Sequence, residues 1–414
     1  MQELNTKKYT VHIILFLVTI ITTTLAGAEW IYGRSFIYGE NLLGWEEFLS
    51  GFEYSIPFLL ILTVHEFGHY LVAKNNQVQV TLPYYLPMWF GFLPTQSLGT
   101  FGAFIKMGRS SSKRQMFDIG IAGPLAGFVV AVFVLAYGYT HLPNQEYIYN
   151  IHPDYEQFGN DYANHVYKRE HHVEQHKLLY LEARAADSIA HVNSGEQGEW
   201  YFEDFEPFEE YPSMSMQKPL LMVILESTLV ADRSLIPNVH EMMHYPWLLA
   251  GFFALLFTAL NLMPVGQLDG GHVLYGLVGY KKHKIIATIV FMIFLFYAGL
   301  GLFSPYHPVE RLMWIPVYLF FLYWVLQSAQ MSKVDTIMYA FVIFAGQFLL
   351  SWLKPEWEGY LGWSLFAIIV GRFLGITHPP VQDEMPLDTN RKILGWIALL
   401  VFILSVSPAP MVIS

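Results

Sequence analysis

The chain predicts an all-α, polytopic membrane protein of about nine transmembrane helices, with a re-entrant or interfacial β segment after the second helix and one exposed polar cap. Three observations carry this. Of 414 residues, 54% are hydrophobic and only 14% charged, a balance that a soluble domain does not keep. Apolar runs close to the ~20 residues that cross hydrocarbon recur along the chain. Lys and Arg cluster between those runs as the positive-inside rule requires.

The runs lie at Thr10–Ala28, Tyr54–Ala73, Phe117–Tyr139, Pro246–Pro264, Ile285–Phe303, Leu312–Gln330, Thr336–Leu353, Tyr360–Ile376 and Ile393–Ser407. With nine crossings, Lys7 and Lys8, then Lys74, Lys106, Arg109, Lys113 and Arg114, then Lys281, Lys282 and Lys284, Lys333, and finally Arg391 and Lys392 share one side, read as cytoplasmic. The acidic residues Glu40, Glu46 and Glu47 and a long loop fall on the other. On this reading the chain divides into residues 1–53, the first helix and an external loop; 54–140, a membrane region with the second and third helices; 141–245, an external acidic cap; 246–284, the fourth helix and its turn; and 285–414, the C-terminal helices.

Cysteine is absent, so neither a disulfide nor a thiolate metal site is possible. The net charge of −11 resides largely in the cap, and no basic stripe interleaved with aromatics suggests nucleic acid. Lys7-Lys8, the first apolar run and Ala26-Gly27-Ala28 imitate a secretory signal. The run is long for that purpose, and a retained helix is expected.

Thr81–Met107 is apolar but interrupted by Pro83, Pro87 and Pro94, which excludes a continuous helix. Gly99–Met107 has partly alternating, β-favouring character. Non-helical backbone at membrane depth has to be shielded by protein or line a wet cavity, so re-entrant or interfacial strands are expected here. His141–Lys218 is polar, with His165, His171, His172, His176 and His191 at irregular spacing, which fits a solvated cap rather than a metal site. Pro219–Val230 is apolar but too short to span. In the third run, Gly123 and Gly127 form a small-xxx-small surface for close approach of the second or fourth helix.

The most specific signal is His65-Glu66-Phe67-Gly68-His69, directly after the apolar residues Ile56 to Val64. On a helix, two histidines four apart leave the same face and grip one metal, with the intervening Glu placed as a base. Ionisable groups at membrane depth are costly and are kept where they pair, bind ions or catalyse. Two histidines leave a catalytic zinc one protein ligand short. Asp269, in Asn261–Gly271 at the end of the fourth run, is the carboxylate in a comparable setting, since Pro264, Gly266, Gly270 and Gly271 should break the helix there. The alternative for Asp269 is a turn carboxylate facing water. Both half-sites reach the same end of the membrane on the same side. His240-Glu241-Met242-Met243-His244 repeats the five-residue pattern, but without an apolar helix leading into it; among 16 histidines this reads as coincidence.

The His65–His69 helix, Gly99-Thr-Phe-Gly-Ala103, Ala122-Gly-Pro-Leu-Ala-Gly127 and Asn261–Gly271 resemble, in order, the site-2 protease family of intramembrane zinc metalloproteases. Leu82–Pro87 and Leu98–Ala103 look most like its branch lacking a PDZ domain, and His378-Pro-Pro380 with Asp383-Glu384 extends the likeness. The resemblance implies Zn²⁺ held by His65, His69 and Asp269, Glu66 as general base, and Asn261 near substrate or site. Gly99, Thr100, Phe101 and Gly102 would present a strand edge to an unwound substrate. The expected function is hydrolysis of peptide bonds within or near transmembrane segments of membrane-protein substrates, in contact with lipid and without nucleic acid. A bacterial plasma membrane is the expected location, since no transit-like segment precedes the first run. Two rivals remain: an ion-binding transporter, which leaves the spacing of Glu66 between the histidines unexplained, and a non-catalytic escort of the same fold.

Overall fold

The structure, a computed structural model, describes residues 2–39, 41–93, 96–108, 112–194, 204–208 and 213–413, with residues 2–8 and 194 described by backbone only. Glu40, Pro94 and Arg109 lie outside the described residues.

Two long helices open the chain, α1 (Gln2–Tyr32) and α2 (Phe52–Asn75). Between apolar helices in lipid there is little hydrophobic drive, and association rests on close packing and polar contacts. Both are present here. A Cβ on Gly51 would stand 2.1 Å from the Thr24 carbonyl oxygen, so glycine lets the two backbones touch. One turn away the Thr23 and Ser55 hydroxyls meet at 2.6 Å. Ala26 and Ala28, part of the signal-like pattern, are fully buried in this fold.

The proline-interrupted stretch forms a hairpin, as its composition predicts. β1 (Tyr84–Pro87) pairs antiparallel with β2 (Thr100–Phe104), Tyr84 opposite Phe104 and Tyr85 opposite Ala103, and a bridge between Val80 and Met107 extends it. Tyr85 fastens the hairpin to α2 through a 2.8 Å bond with the Thr63 hydroxyl, and His12 Nδ1 of α1 donates to the Pro83 carbonyl at 2.9 Å.

The third helix, α3 (Lys113–Thr140), crosses α2 closely. The cap then holds a 26-residue polar helix, α4 (Arg169–Ser194). Its histidines and those beside it make local pairs: His171 with Asp154 at 3.4 Å and His165 with Asp161 at 3.0 Å. The short apolar helix α5 (Leu220–Leu229) packs on α3 and buries Leu221 and Met222 in one core with Tyr54, Phe58, Leu135 and Phe252, the last from α6 (Pro246–Leu262). The strand β3 (Met214–Met216) pairs with β4 (Met411–Ile413), joining the cap to the C-terminus. After α6 come α7 (Asp269–Val278) and α8 (Tyr280–Ala298).

Among the described residues five helices are long and apolar enough to cross a membrane: Tyr9–Tyr32, Trp45–Asn75, Lys113–Thr140, Val309–Ala329 and Lys333–Leu353. The nine expected crossings are thus five by this measure. The other four runs are helical but fall short for identifiable reasons. Pro246–Leu262 has 17 residues and stops before Pro264, and Trp363–Leu374 stops before Gly375 at φ +79°. The helix Thr389–Ser405 also has 17 residues, and α8 begins with Lys281, Lys282 and Lys284 in its first turn and a half.

Candidate metal centre

His65 and His69 lie one turn apart on the face of α2 turned toward α3, and both are buried. Their Nε2 atoms are 3.2 Å apart. Asp269, the first residue of α7, brings Oδ2 to 3.2 Å from His69 Nε2 and 3.6 Å from His65 Nε2. Two segments 200 residues apart in sequence therefore converge on one point.

The approach is set by small residues on α3. A Cβ on Gly123 would stand 2.2 Å from His69 Nε2, and one on Gly127 would lie 3.0 Å from His65 Cβ. Gly68 of α2 returns the fit, since its Cβ would meet the Ala122 carbonyl at 2.7 Å. The small-xxx-small surface thus serves α2, one of its two expected neighbours, and does so directly against the two histidines. Next to it, the Ile119 carbonyl accepts from His69 Nδ1 at 2.7 Å. That bond fixes the tautomer and leaves Nε2 with a free lone pair.

Asp269 is positioned by a sharp connection between α6 and α7. Gly266 takes φ +58°, and its N–H donates to the Ile376 carbonyl at 2.8 Å, so the turn is pinned to a later segment. Gly270 and Gly271 do not break the helix, contrary to the sequence expectation: both lie inside α7. Their role is proximity. A Cβ on Gly270 would stand 1.9 Å from the Leu262 carbonyl oxygen and one on Gly271 2.3 Å from that of Gly266, so only glycine lets α7 start against the end of α6.

A zinc ion fits these residues. The Asp269 oxygen and the two imidazole nitrogens face one another at 3.2–3.6 Å, and tetrahedral bonds of about 2.0–2.1 Å imply ligand separations of about 3.3–3.4 Å. Three electron-rich atoms gathered in a buried place repel unless a cation lies between them.

Glu66 is buried on the same turn of α2. Asn261, near the end of α6, has Nδ2 3.5 Å from His65 Nε2, so the expected polar neighbour is at the site. The four hairpin residues separate into two kinds. Gly99, at φ +80°, packs on the α1 backbone, where a Cβ would stand 2.3 Å from Thr23 Cα. Thr100 is fully buried and its hydroxyl donates to the Leu86 carbonyl at 2.8 Å. Phe101 is 63% exposed. Gly102, at φ +106°, adjoins Phe257 of α6. Among the described residues β2 pairs with β1 alone. Its other edge is unpaired.

Sequence reasoning missed the outer supports. Glu384 accepts from the Tyr275 hydroxyl of α7 and pairs with Lys113 at the start of α3 at 3.5 Å. The Lys113 N–H also donates to the Asp383 carbonyl at 2.9 Å. These contacts tie the Asp383-Glu384 segment to both helices that build the site; the likeness named the residues, and only the fold supplies the partners.

Fold and site together define an integral membrane protein with a His–His–Asp centre, its two histidines buried, on its second helix. The family described as Peptidase family M50 matches residues 53–302, and the chain belongs to it. This bears out the likeness to the site-2 proteases. Two curated relatives are named probable zinc metalloprotease EGY1, chloroplastic: the chain is 26% identical to that of Oryza sativa subsp. japonica over 53% of its own length and 27% of the relative's. To that of Arabidopsis thaliana it is 26% identical over 53% of this chain and 28% of the relative. The Arabidopsis thaliana protein named probable zinc metalloprotease EGY2, chloroplastic, is 34% identical over 19% of this chain and 13% of its own. The match therefore spans about a quarter of the length of the two EGY1 relatives. No solved structure matches the chain significantly.

Proposed function

We propose that this chain is an intramembrane zinc metalloendopeptidase that hydrolyses peptide bonds within or beside transmembrane segments of membrane-protein substrates. The observation that carries it is the convergence of His65 Nε2, His69 Nε2 and Asp269 Oδ2, with Glu66 on the same helical turn. Family membership and the zinc-metalloprotease names of the relatives support the same reading. In it, His65, His69 and Asp269 hold the metal and Glu66 is the base. An escort without activity would have no use for Glu66 there.

Zinc in this place supplies Lewis acidity toward a peptide carbonyl and toward water. Glu66 accepts a proton from the attacking water and delivers it to the departing amine nitrogen as the C–N bond breaks. Asn261 donates from its amide toward the same space and orients the carbonyl. A helical substrate hides its peptide bonds, so it unwinds before attack. The free edge of β2 holds the extended segment by strand addition, with Phe101 and Gly102 facing it.

The short helices Pro246–Leu262, Tyr280–Ala298, Trp363–Leu374 and Thr389–Ser405 complete nine crossings in this reading. At 1.5 Å per residue α6 covers about 26 Å, near the ~30 Å of hydrocarbon. The relatives carry a chloroplast location in their names, so they lend no support to a bacterial plasma membrane. The reading kept is an integral membrane protein with its metal end on the Lys/Arg-rich side.

The test is cleavage of a helical membrane substrate by the purified protein. Activity should vanish with chelator and return with zinc. Glu66→Gln should keep its zinc and lose on the order of 10²–10⁴-fold in rate. Cleavage by Glu66→Gln at the wild-type rate would remove Glu66 as base, and a metal-loaded wild type that binds but never cuts would favour the escort.

A further inference from the structure

The second five-residue match does not form a helix of the kind its pattern demands. Residues Met242–His244 form a single 3₁₀ turn just before α6. His240 turns away, its Nδ1 donating to the Met214 carbonyl at 3.0 Å. His240 is not among the residues that gather around His244. Glu241 and His244, however, meet a residue that the pattern does not contain. His152, from the cap, places Nε2 3.2 Å from His244 Nε2 and 3.6 Å from Glu241 Oε2, and the His244–Glu241 distance is 3.2 Å.

These separations equal those of the His65–His69–Asp269 centre, 3.2, 3.2 and 3.6 Å, and suit tetrahedral zinc for the same reason. Their supports match as well. His244 Nδ1 donates to the Ile31 carbonyl at the end of α1 at 2.6 Å, which leaves its Nε2 lone pair facing inward. Glu241 Oε1 accepts from the Tyr167 hydroxyl. The other carboxylate oxygen, Oε2, is buried and has no hydrogen bond, although the Glu241 side chain is only 3% exposed. A buried carboxylate oxygen without a donor, aimed at two imidazole nitrogens, is costly unless a cation completes it.

We propose that His152, Glu241 and His244 form a second divalent-metal site, suited by its two imidazoles and one carboxylate to zinc, that clamps the start of the cap to its end, where the chain enters α6. The ligands come from two segments about 90 residues apart, and the Ile31 bond adds α1 as a third anchor. Metal binding there is coupled to docking of the cap, independently of the chemistry at Glu66.

The purified full-length protein, dialysed against a weak chelator, tests this by zinc stoichiometry. Wild type should retain two equivalents, His65→Ala one, His152→Ala one, and the double variant none. His240→Ala should keep two. Because His65→Ala leaves the cap untouched, its remaining equivalent reports the second site even if a cap variant fails to fold. Zinc added to metal-stripped His65→Ala should also protect the cap against limited proteolysis. No equivalent in His65→Ala, or a folded His152→Ala that holds as much zinc as wild type, overturns the proposal; a single wild-type equivalent that persists in His65→Ala counts against the first centre instead.

Discussion

Gly123 of α3 lies so close to His69 of α2 that a Cβ at the glycine would stand 2.2 Å from the histidine Nε2. The nitrogen proposed to bind metal therefore owes its place to a missing side chain on the neighbouring helix. Gly123→Ala should push the His69 ring off the common point, strip zinc and abolish activity, with an overpacking cost of about 1–3 kcal/mol. Gly127→Ala, whose Cβ would lie 3.0 Å from His65 Cβ, should be milder. Zinc content and thermal unfolding of both variants check this, and a Gly123→Ala protein with full zinc would refute the cradle.

His65, Glu66 and His69 were legible in the sequence because a five-residue helical spacing inside an apolar run fixes their mutual geometry locally. Asp269 was legible as a carboxylate at matching depth, but why it turns inward was not: Gly270 and Gly271 admit α7 against α6 rather than breaking it. The glycine pair of α3 gave away close packing on α2 or α6 and not that the two histidines sit opposite, since spacing on one helix does not say which side chains it meets. The His152–Glu241–His244 cluster was hidden for the opposite reason. The pattern offered His240, and the 3₁₀ turn that removes it is a tertiary outcome. The crossing count was legible as nine apolar runs, but not which of them stop short: Pro264 and Gly375 end two helices early, and by length and composition five are long enough to cross.

Arg391, at the start of the last helix, donates through Nε and Nη2 to both carboxylate oxygens of Asp118 at 2.7 Å each. Asp118 directly precedes Ile119, which accepts the His69 bond. Lysine keeps the charge but not the two-pronged geometry. Arg391→Lys should cost about 1–2 kcal/mol, reduced by the partial exposure of the pair, while leaving zinc bound. The check is a lower unfolding temperature in detergent at unchanged metal content; loss of zinc would mean that this contact also sets the position of His69.

The free edge of β2 predicts where a substrate lies. A photo-crosslinking residue in place of Phe101, which is exposed, should capture a membrane substrate in the Glu66→Gln background, because that variant binds without turnover. The same probe at Thr100, which is fully buried, should capture none. Equal capture at both positions, or at neither, would move the substrate away from the hairpin.

The orientation can be read chemically because the chain has no cysteine of its own. Lys281, Lys282 and Lys284 follow the helix that carries Asp269, and clustered Lys next to a short loop holds that end on the untranslocated side. The acidic cap between α3 and α6 should then face the opposite compartment. A single cysteine at Glu206, exposed in the cap, should react with a membrane-impermeant maleimide added on the cap side of sealed vesicles. One at Lys282, also exposed, should react only after permeabilisation. The two positions are separated by α6 alone among the membrane-embedded helices, so reaction of both from one side would show that this 17-residue helix does not cross. Exchange of the two results would instead invert the protein and put the metal end on the cap's expected side.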